Sequence, residues 1–217
     1  SFDLGNLPFI NLIAKKRRPT VISTGGGNEK HIHESIKILN KYNKKIAILH
    51  CNSEYPTHYS KLGLSNIQIL KKKYKNLTPG ISDHFNGILS GPISYIYGAR
   101  VFEKHVTFDR SLKGTDHSFA LEPEGFRKFV RDIKRTPLMI KLKNKKLIGK
   151  EPVFKKLGKS LSVNKVIKKG QIIQIEDLTG VIYIKNFINV RDSYKIIGKK
   201  AKIQINPGEP IKLINLK

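Results

Sequence analysis

The chain has 217 residues, 42 lysines and arginines against 16 aspartates and glutamates, and a formal net charge of +26. That length has room for one medium domain plus a small one, and the 39% hydrophobic content, though low, is compatible with a core. No stretch approaches the roughly 18–20 apolar residues of a membrane span, and a single cysteine, Cys51, excludes an internal disulfide and points to a reducing, cytoplasmic setting. The opening residues, Ser1-Phe2-Asp3-Leu4-Gly5, pair no basic segment with an apolar one, so no signal peptide is read there. A charge excess of this size often marks a nucleic-acid binder. Here, however, lysine far outnumbers arginine and is spread along the chain, and aromatic platforms are sparse. That distribution argues against nucleic acid and for an anionic small substrate.

In chain order, Pro8 introduces a helical run through Phe9, Ile10, Leu12, Ile13 and Ala14. A strand at 20–24 follows Pro19 and ends in Gly25-Gly26-Gly27. An amphipathic helix is expected at 29–42, a strand at 45–50, a short helix at 66–74 and a strand at 78–83. Helical spacing of Ile88, Leu89, Ile93, Ile96 and Tyr97 predicts a helix over 86–97, and then a strand at 100–104 and a helix at 123–135. Strands alternating with helices in this way read as α/β with a parallel sheet. The triple glycine matches neither the dinucleotide fingerprint nor the P-loop. A tight turn is its expected job, with Ser23 and Thr24 available to an anion.

His84 and His105 each follow the last residue of a strand, at the end of a parallel sheet where chemistry is done. Neighbouring strands lie about 5 Å apart, so the two imidazoles could share one small divalent ion. Period-two alternation puts Ser82 on the face of His84 and Glu103 on the face of His105. A histidine at a strand end is more often a hydrogen-bonded structural group, and pattern alone does not separate the two readings. Cys51, after an apolar strand, reads as a packed thiol. Residues 136–157 read as a basic linker. Beyond it, residues 163–173 repeat as 201–211, each copy alternating and then turning at a glycine, Gly170 and Gly208, which predicts a separate small β-rich domain at 158–217.

Taken together, several runs resemble the sialic acid synthase family, the N-acetylneuraminate synthases and their legionaminic and pseudaminic acid relatives. They are Val21-Ile22-Ser23-Thr24-Gly25, Leu49-His50-Cys51 with Tyr55-Pro56, Ile81-Ser82-Asp83-His84, residues 98–107 and the loop 109–117. The resemblance extends over essentially the whole chain. It implies the C-terminal half of a TIM barrel at residues 1–135, followed by an antifreeze-like (SAF) domain. It also implies condensation of phosphoenolpyruvate with N-acetylmannosamine or a related amino-sugar aldehyde, with Mn²⁺ as the expected divalent ion. His84 and His105 align with metal ligands. Ser1, Ser23, Ser53 and Ser82 align with positions around phosphoenolpyruvate, and Tyr55 and Asp116 with positions near the sugar. Asp3, standing where the family usually has a glutamate, and Glu103 are the candidate catalytic residues; Glu103 reads as a hydrogen-bond acceptor at the site or, equally, as a structural carboxylate paired with a lysine.

The departures from the family bear on activity. A TIM barrel takes about 250 residues, and this chain begins at the end of a middle strand, so the first half barrel is expected to come from another segment or polypeptide. An Arg-Pro-Gly run in the small domain, whose arginine reaches a partner's site in a domain-exchanged homodimer, is replaced by Lys185-Asn186-Phe187 as the nearest stretch, and lysine does not reproduce arginine's fork. An inactive truncated homologue and a basic module binding nucleic acid or polysaccharide are the alternative readings.

Overall fold

The computed structural model describes residues 1–141 and 151–217, and the middle of the expected linker, 142–150, lies outside the described residues. The chain divides into two compact units, Ser1–Leu142 and Lys143–Lys217.

The first unit is a curled, four-stranded parallel sheet in the order β1 (Thr20–Ser23), β2 (Ile46–Cys51), β3 (Thr78–Asp83), β4 (Val101–Lys104). Its helices are α1 (Leu7–Lys15), α2 (Glu29–Tyr42), α3 (Asn66–Lys73), α4 (Ser90–Ile96) and α5 (Pro123–Ile140). Strand β2 is central and nearly continuously apolar, as a strand covered on both faces must be; Ile48 and Leu49 are fully buried. One core joins Ile10 and Ala14 of α1, Ile36 and Leu39 of α2, and Ile46 and Ile48 of β2. Helix α2 begins where Asn28 and His31 cap one another: His31 N donates to Asn28 Oδ1 and Asn28 N to His31 Nδ1.

Two element boundaries differ from the sequence reading. The helix expected over 86–97 starts only at Ser90. Pro92 has no N–H to give, so it is tolerated in a first turn and not in a helix interior, and Gly87 just upstream takes a positive φ of 156°. In the other direction, α5 runs through Pro137 to Ile140. The Thr136 hydroxyl donates to Asp132 O, and Lys141 N reaches Pro137 O, so the turn after the proline is bonded. The stretch from 136 therefore opens as helix rather than linker, and a further helix, α6 (Pro152–Leu157), occupies the far end of the same span.

The second unit pairs β5 (Ser160–Val163) antiparallel to β6 (Leu178–Val181). The internal repeat has a structural counterpart here. Ile167 and Ile205, at matching positions, exchange N–H···O bonds at 2.9 Å both ways. Val163 and Ala201, and Ile173 and Ile211, are likewise equivalent positions in one buried cluster. Gly170 and Gly208 adopt φ of 86° and 83°, which a side chain would strain.

Central and edge positions of the sheet should respond differently. Ile48→Ala, at a fully buried site, is expected to lower unfolding stability by about 2–5 kcal/mol, and Val21→Ala, 54% exposed on edge strand β1, by under about 1 kcal/mol. Urea denaturation of the two variants measures this, and equal losses would contradict the strand order.

Candidate active site

The carboxyl ends of the four strands carry the site, and register decides which side chains meet. Cys51 lies opposite Ser82, and Ser82 opposite Glu103. Ser82 Oγ donates to Glu103 Oε1 at 2.6 Å. One step beyond β3 and β4, the rings of His84 and His105 stand 5.1 Å apart, inclined at 63°. Tyr55 covers them from the loop after β2, its ring centre 4.0 Å from His84 and 5.9 Å from His105. Phe119, 2% exposed, backs His105 at 5.1 Å.

Each imidazole has its Nδ1 beside an acceptor. His84 Nδ1 is 2.8 Å from Asn52 O. A carbonyl only accepts, so Nδ1 carries the proton and a neutral ring keeps its lone pair on Nε2. His105 Nδ1 is 3.4 Å from Asp116 Oδ2, which favours the same tautomer. The environments nevertheless differ. Burial pulls the His84 pKa down, but Cys51, the Asn52 carbonyl and Asp83 outweigh it and the net shift is upward. Burial and then the neighbouring His84 hold His105 below its ordinary value, against Asp116.

Beside the imidazoles is a cluster of small polar groups. Ser1 Oγ is 3.1 Å from Ser23 Oγ and 3.6 Å from Cys51 Sγ, and Ser53 Oγ is 3.6 Å from the same sulfur. Cys51 Sγ is 3.9 Å from His84 Nδ1. Gly25 makes this gathering possible, since a Cβ there would lie 2.2 Å from Ser53 Oγ and 2.6 Å from Cys51 Sγ. Cys51 is thus half-buried at the centre of the site instead of packed away. Burial would raise its pKa, but hydrogen bonds from His84, Ser23, Ser1 and Ser53 bring it down to about 6.

Ser1, Ser23, Ser53, Tyr55, Ser82, His84, Glu103, His105 and Asp116 are linked into this region by the contacts above. Asp3 lines a cavity of about 290 Å³ with Ser1 and Ser23, but its carboxylate is engaged locally, accepting from Asn6 Nδ2 at 2.9 Å. The lysine adjoining the site, Lys104, is turned to Asp83.

Among the described residues, no group of three or more His, Cys, Asp or Glu side chains forms a metal cage. A two-imidazole site fits better. A ligand nitrogen sits about 2 Å from a first-row divalent ion, which places ring centres roughly 5 Å from each other when the two bonds meet near a right angle. The observed separation is 5.1 Å, and both Nδ1 atoms face the acceptors that typically orient ligand histidines.

The thiol gives a direct probe of the site. Its alkylation by iodoacetamide should rise with a midpoint near pH 6, well below an ordinary thiol's, because the thiolate reacts and the thiol does not. His84→Ala removes a bonding partner and should move the midpoint upward. A wild-type midpoint at the ordinary thiol value would contradict the arrangement.

Residues 1–145 match the NeuB family model. Over 217 residues the chain is 32% identical to a pseudaminic acid synthase of Campylobacter jejuni, covering 98% of this chain and 62% of that protein. It is 30% identical to the human N-acetylneuraminate-9-phosphate synthase, covering 97% and 59% respectively. A crystal structure of N-acetylneuraminic acid (sialic acid) synthetase from Leptospira borgpetersenii, in complex with citrate, superposes with a TM-score of 0.63 at 30% identity, over 72% of this chain and 56% of that one. The Bacillus subtilis spore coat polysaccharide biosynthesis protein spsE aligns with all of this chain and 66% of its own at a TM-score of 0.61 and 24% identity, a likeness of fold. The chain spans about three fifths of the length of these two synthases. With residues 1–145 matched by its model and strand ends arranged as described, the chain belongs to the NeuB family.

Proposed function

We propose that this chain carries the metal-binding part of a sialic acid synthase-type enzyme. The reaction is condensation of phosphoenolpyruvate with N-acetylmannosamine or a related amino-sugar aldehyde. Carbon 3 of phosphoenolpyruvate bonds to the aldehyde carbon, water adds at carbon 2, and phosphate departs with C–O cleavage, giving a nine-carbon 2-keto sugar acid. The observation that carries this reading is the pair of imidazoles, 5.1 Å apart on adjoining strands, within a chain of this family.

His84 and His105 would hold a divalent ion through Nε2, Mn²⁺ being the expected one, and the bound ion supplies a Lewis acid for the aldehyde oxygen. Asn52 O and Asp116 keep the Nδ1 protons in place. The hydroxyls of Ser1, Ser23 and Ser53 donate to phosphoenolpyruvate's anionic oxygens. Ser82 joins them, oriented by its bond to Glu103. Tyr55 and Asp116 border the sugar. Asp3 takes the place of the family's glutamate once it leaves Asn6. Holding the reactants in line supplies much of the rate.

Completion of the barrel by a further half, from a preceding segment or a separate polypeptide, belongs to the same proposal. The second unit would be the antifreeze-like domain, exchanged in a homodimer, and the setting is cytoplasmic. The described residues include no helix long and apolar enough to cross a membrane.

The test is phosphate release from phosphoenolpyruvate, amino sugar and Mn²⁺ by the chain supplemented with the first half barrel of a family member. Activity is expected, and His84→Ala or His105→Ala should lower it about a hundredfold or more, ~2.7 kcal/mol of barrier. Silence in the supplemented mixture sinks the reading. Gly25→Ala, which drives a methyl into the Ser53 and Cys51 side chains, should weaken phosphoenolpyruvate binding about tenfold, ~1.4 kcal/mol, by calorimetry on the same mixture. Unchanged affinity would remove the hydroxyl cluster from the substrate site.

A further inference from the structure

Directly behind the two histidines, on the opposite face of the strands, an ion pair is buried. Lys104 Nζ lies 2.9 Å from Asp83 Oδ2, with side-chain exposures of 2% and 0%. The two residues face one another in the β3–β4 register, and each immediately precedes one of the histidines. The carboxylate and ammonium are fully occupied. Asp83 Oδ1 accepts from Phe85 N at 3.0 Å, and Oδ2 accepts also from the Ser90 hydroxyl of α4. Lys104 Nζ donates in addition to Phe85 O and sits 5.9 Å over the Phe129 ring of α5.

A buried pair is weak evidence for stability, because desolvation offsets its attraction. What distinguishes this one is where its extra bonds end. Both polar groups of Phe85 are tied, the N–H to Asp83 and the carbonyl to Lys104, so one ion pair grips the residues on either side of His84, alongside the backbone bonds from Thr57 N to His84 O and from Gly87 N to Phe85 O. The same ammonium belongs to the residue before His105. A hydrophobic pair of equal volume would pack the sheet against the helices but could not grip the Phe85 peptide.

We propose that Asp83 and Lys104 are positioning residues, a clamp that sets the backbone of His84 and His105 so that both imidazoles address one cation. The proposal deepens the metal reading and rests on it for the cation, while the geometry of the rings can be read without any metal.

The experiment uses the 217-residue chain. The variants are Asp83→Asn, which keeps the shape, and the double change Asp83→Asn with Lys104→Met, which avoids leaving one buried charge alone. Ile67→Ala, from the fully buried core under α3, serves as a destabilised reference. Two quantities are measured for each: Mn²⁺ affinity from the paramagnetic resonance of free Mn²⁺, and the histidine ring carbon and proton resonances without metal. In both clamp variants affinity should fall about tenfold or more, with the signals of His84 and His105 displaced. Ile67→Ala should leave both quantities unchanged even where its melting temperature falls as far. Clamp variants that keep affinity within about twofold and unmoved ring signals overturn the proposal, as does an Ile67→Ala chain that loses both equally. If the wild-type chain takes up no Mn²⁺, the metal reading fails, and the ring signals alone decide the clamp.

Discussion

The pairing of β3 with β4 is the constraint on which the site depends. Its register, Gly80 opposite Val101 through Asp83 opposite Lys104, delivers two histidines side by side one residue past the strands. Because side chains alternate with period two, a slip of one residue on either strand would turn an imidazole to the other face. The position of Gly80 shows how closely the strands are fitted. A Cβ there would come within 2.4 Å of both the Val101 carbonyl and a Leu49 methyl. The apolar run of β2 on the other side holds β3 in place, so the core and the site share one register.

Electrostatics at the site run against the charge of the chain. The net +26 is carried largely by exposed side chains such as Lys71, Lys72 and Lys73 in the last turn of α3, where cations suit the carbonyl end of a helix. At the strand ends the described side chains are imidazoles, hydroxyls, a thiol and carboxylates, and the adjoining Lys104 ammonium is paired with Asp83. The two imidazoles shift in opposite directions, His84 up and His105 down. His84 is thus the more readily protonated of the two, and its nearness is one cause of the lowered value at His105, as expected when like charges sit this close. Both rings can be neutral donors together only when the proton is removed.

Much of this was legible in the sequence, and the exceptions have physical causes. The apolar run of β2, and the shorter apolar stretches of the other strands set off by glycines and prolines, marked the four strands to within a residue or so, because buried strands of a parallel sheet are rich in apolar side chains. The histidines were legible as strand-end residues. The start of α4 was misplaced because apolar spacing outweighed Pro92, whose missing N–H fixes the first turn. The thiol was misread because a lone cysteine after an apolar strand carries no sign of its neighbours, which come from three separate loops and strand ends. Lys104 was overlooked for the opposite reason. With Glu103 and His105 taken as facing the site, alternation already required Lys104 to face the helices, where a charge needs a partner, and it placed Asp83 on that same side.

The open sides of the sheet bear on how such a site can work. In a four-stranded order, β1 and β4 each have one flank without a paired strand among the described residues, and open parallel edges are ordinarily covered or closed. Beyond β4 the chain provides some cover of its own, with Leu121 pairing alongside Val106; β1 leaves Val21 54% exposed. The candidate substrate side is equally open, with Tyr55 41% exposed and Glu103 at the surface. Strong electrostatic stabilisation of reacting anions depends on excluding water. Cationic side chains would add to it, and the described side chains of the cluster are hydroxyls and a thiol. On the proposed reading, whatever pairs with the edge of β1 therefore has two tasks that one event would accomplish: satisfying the strand's free backbone groups, and bringing positive charge over Ser1, Ser23 and Ser53. Folding of the sheet and assembly of the anion site would then be the same step.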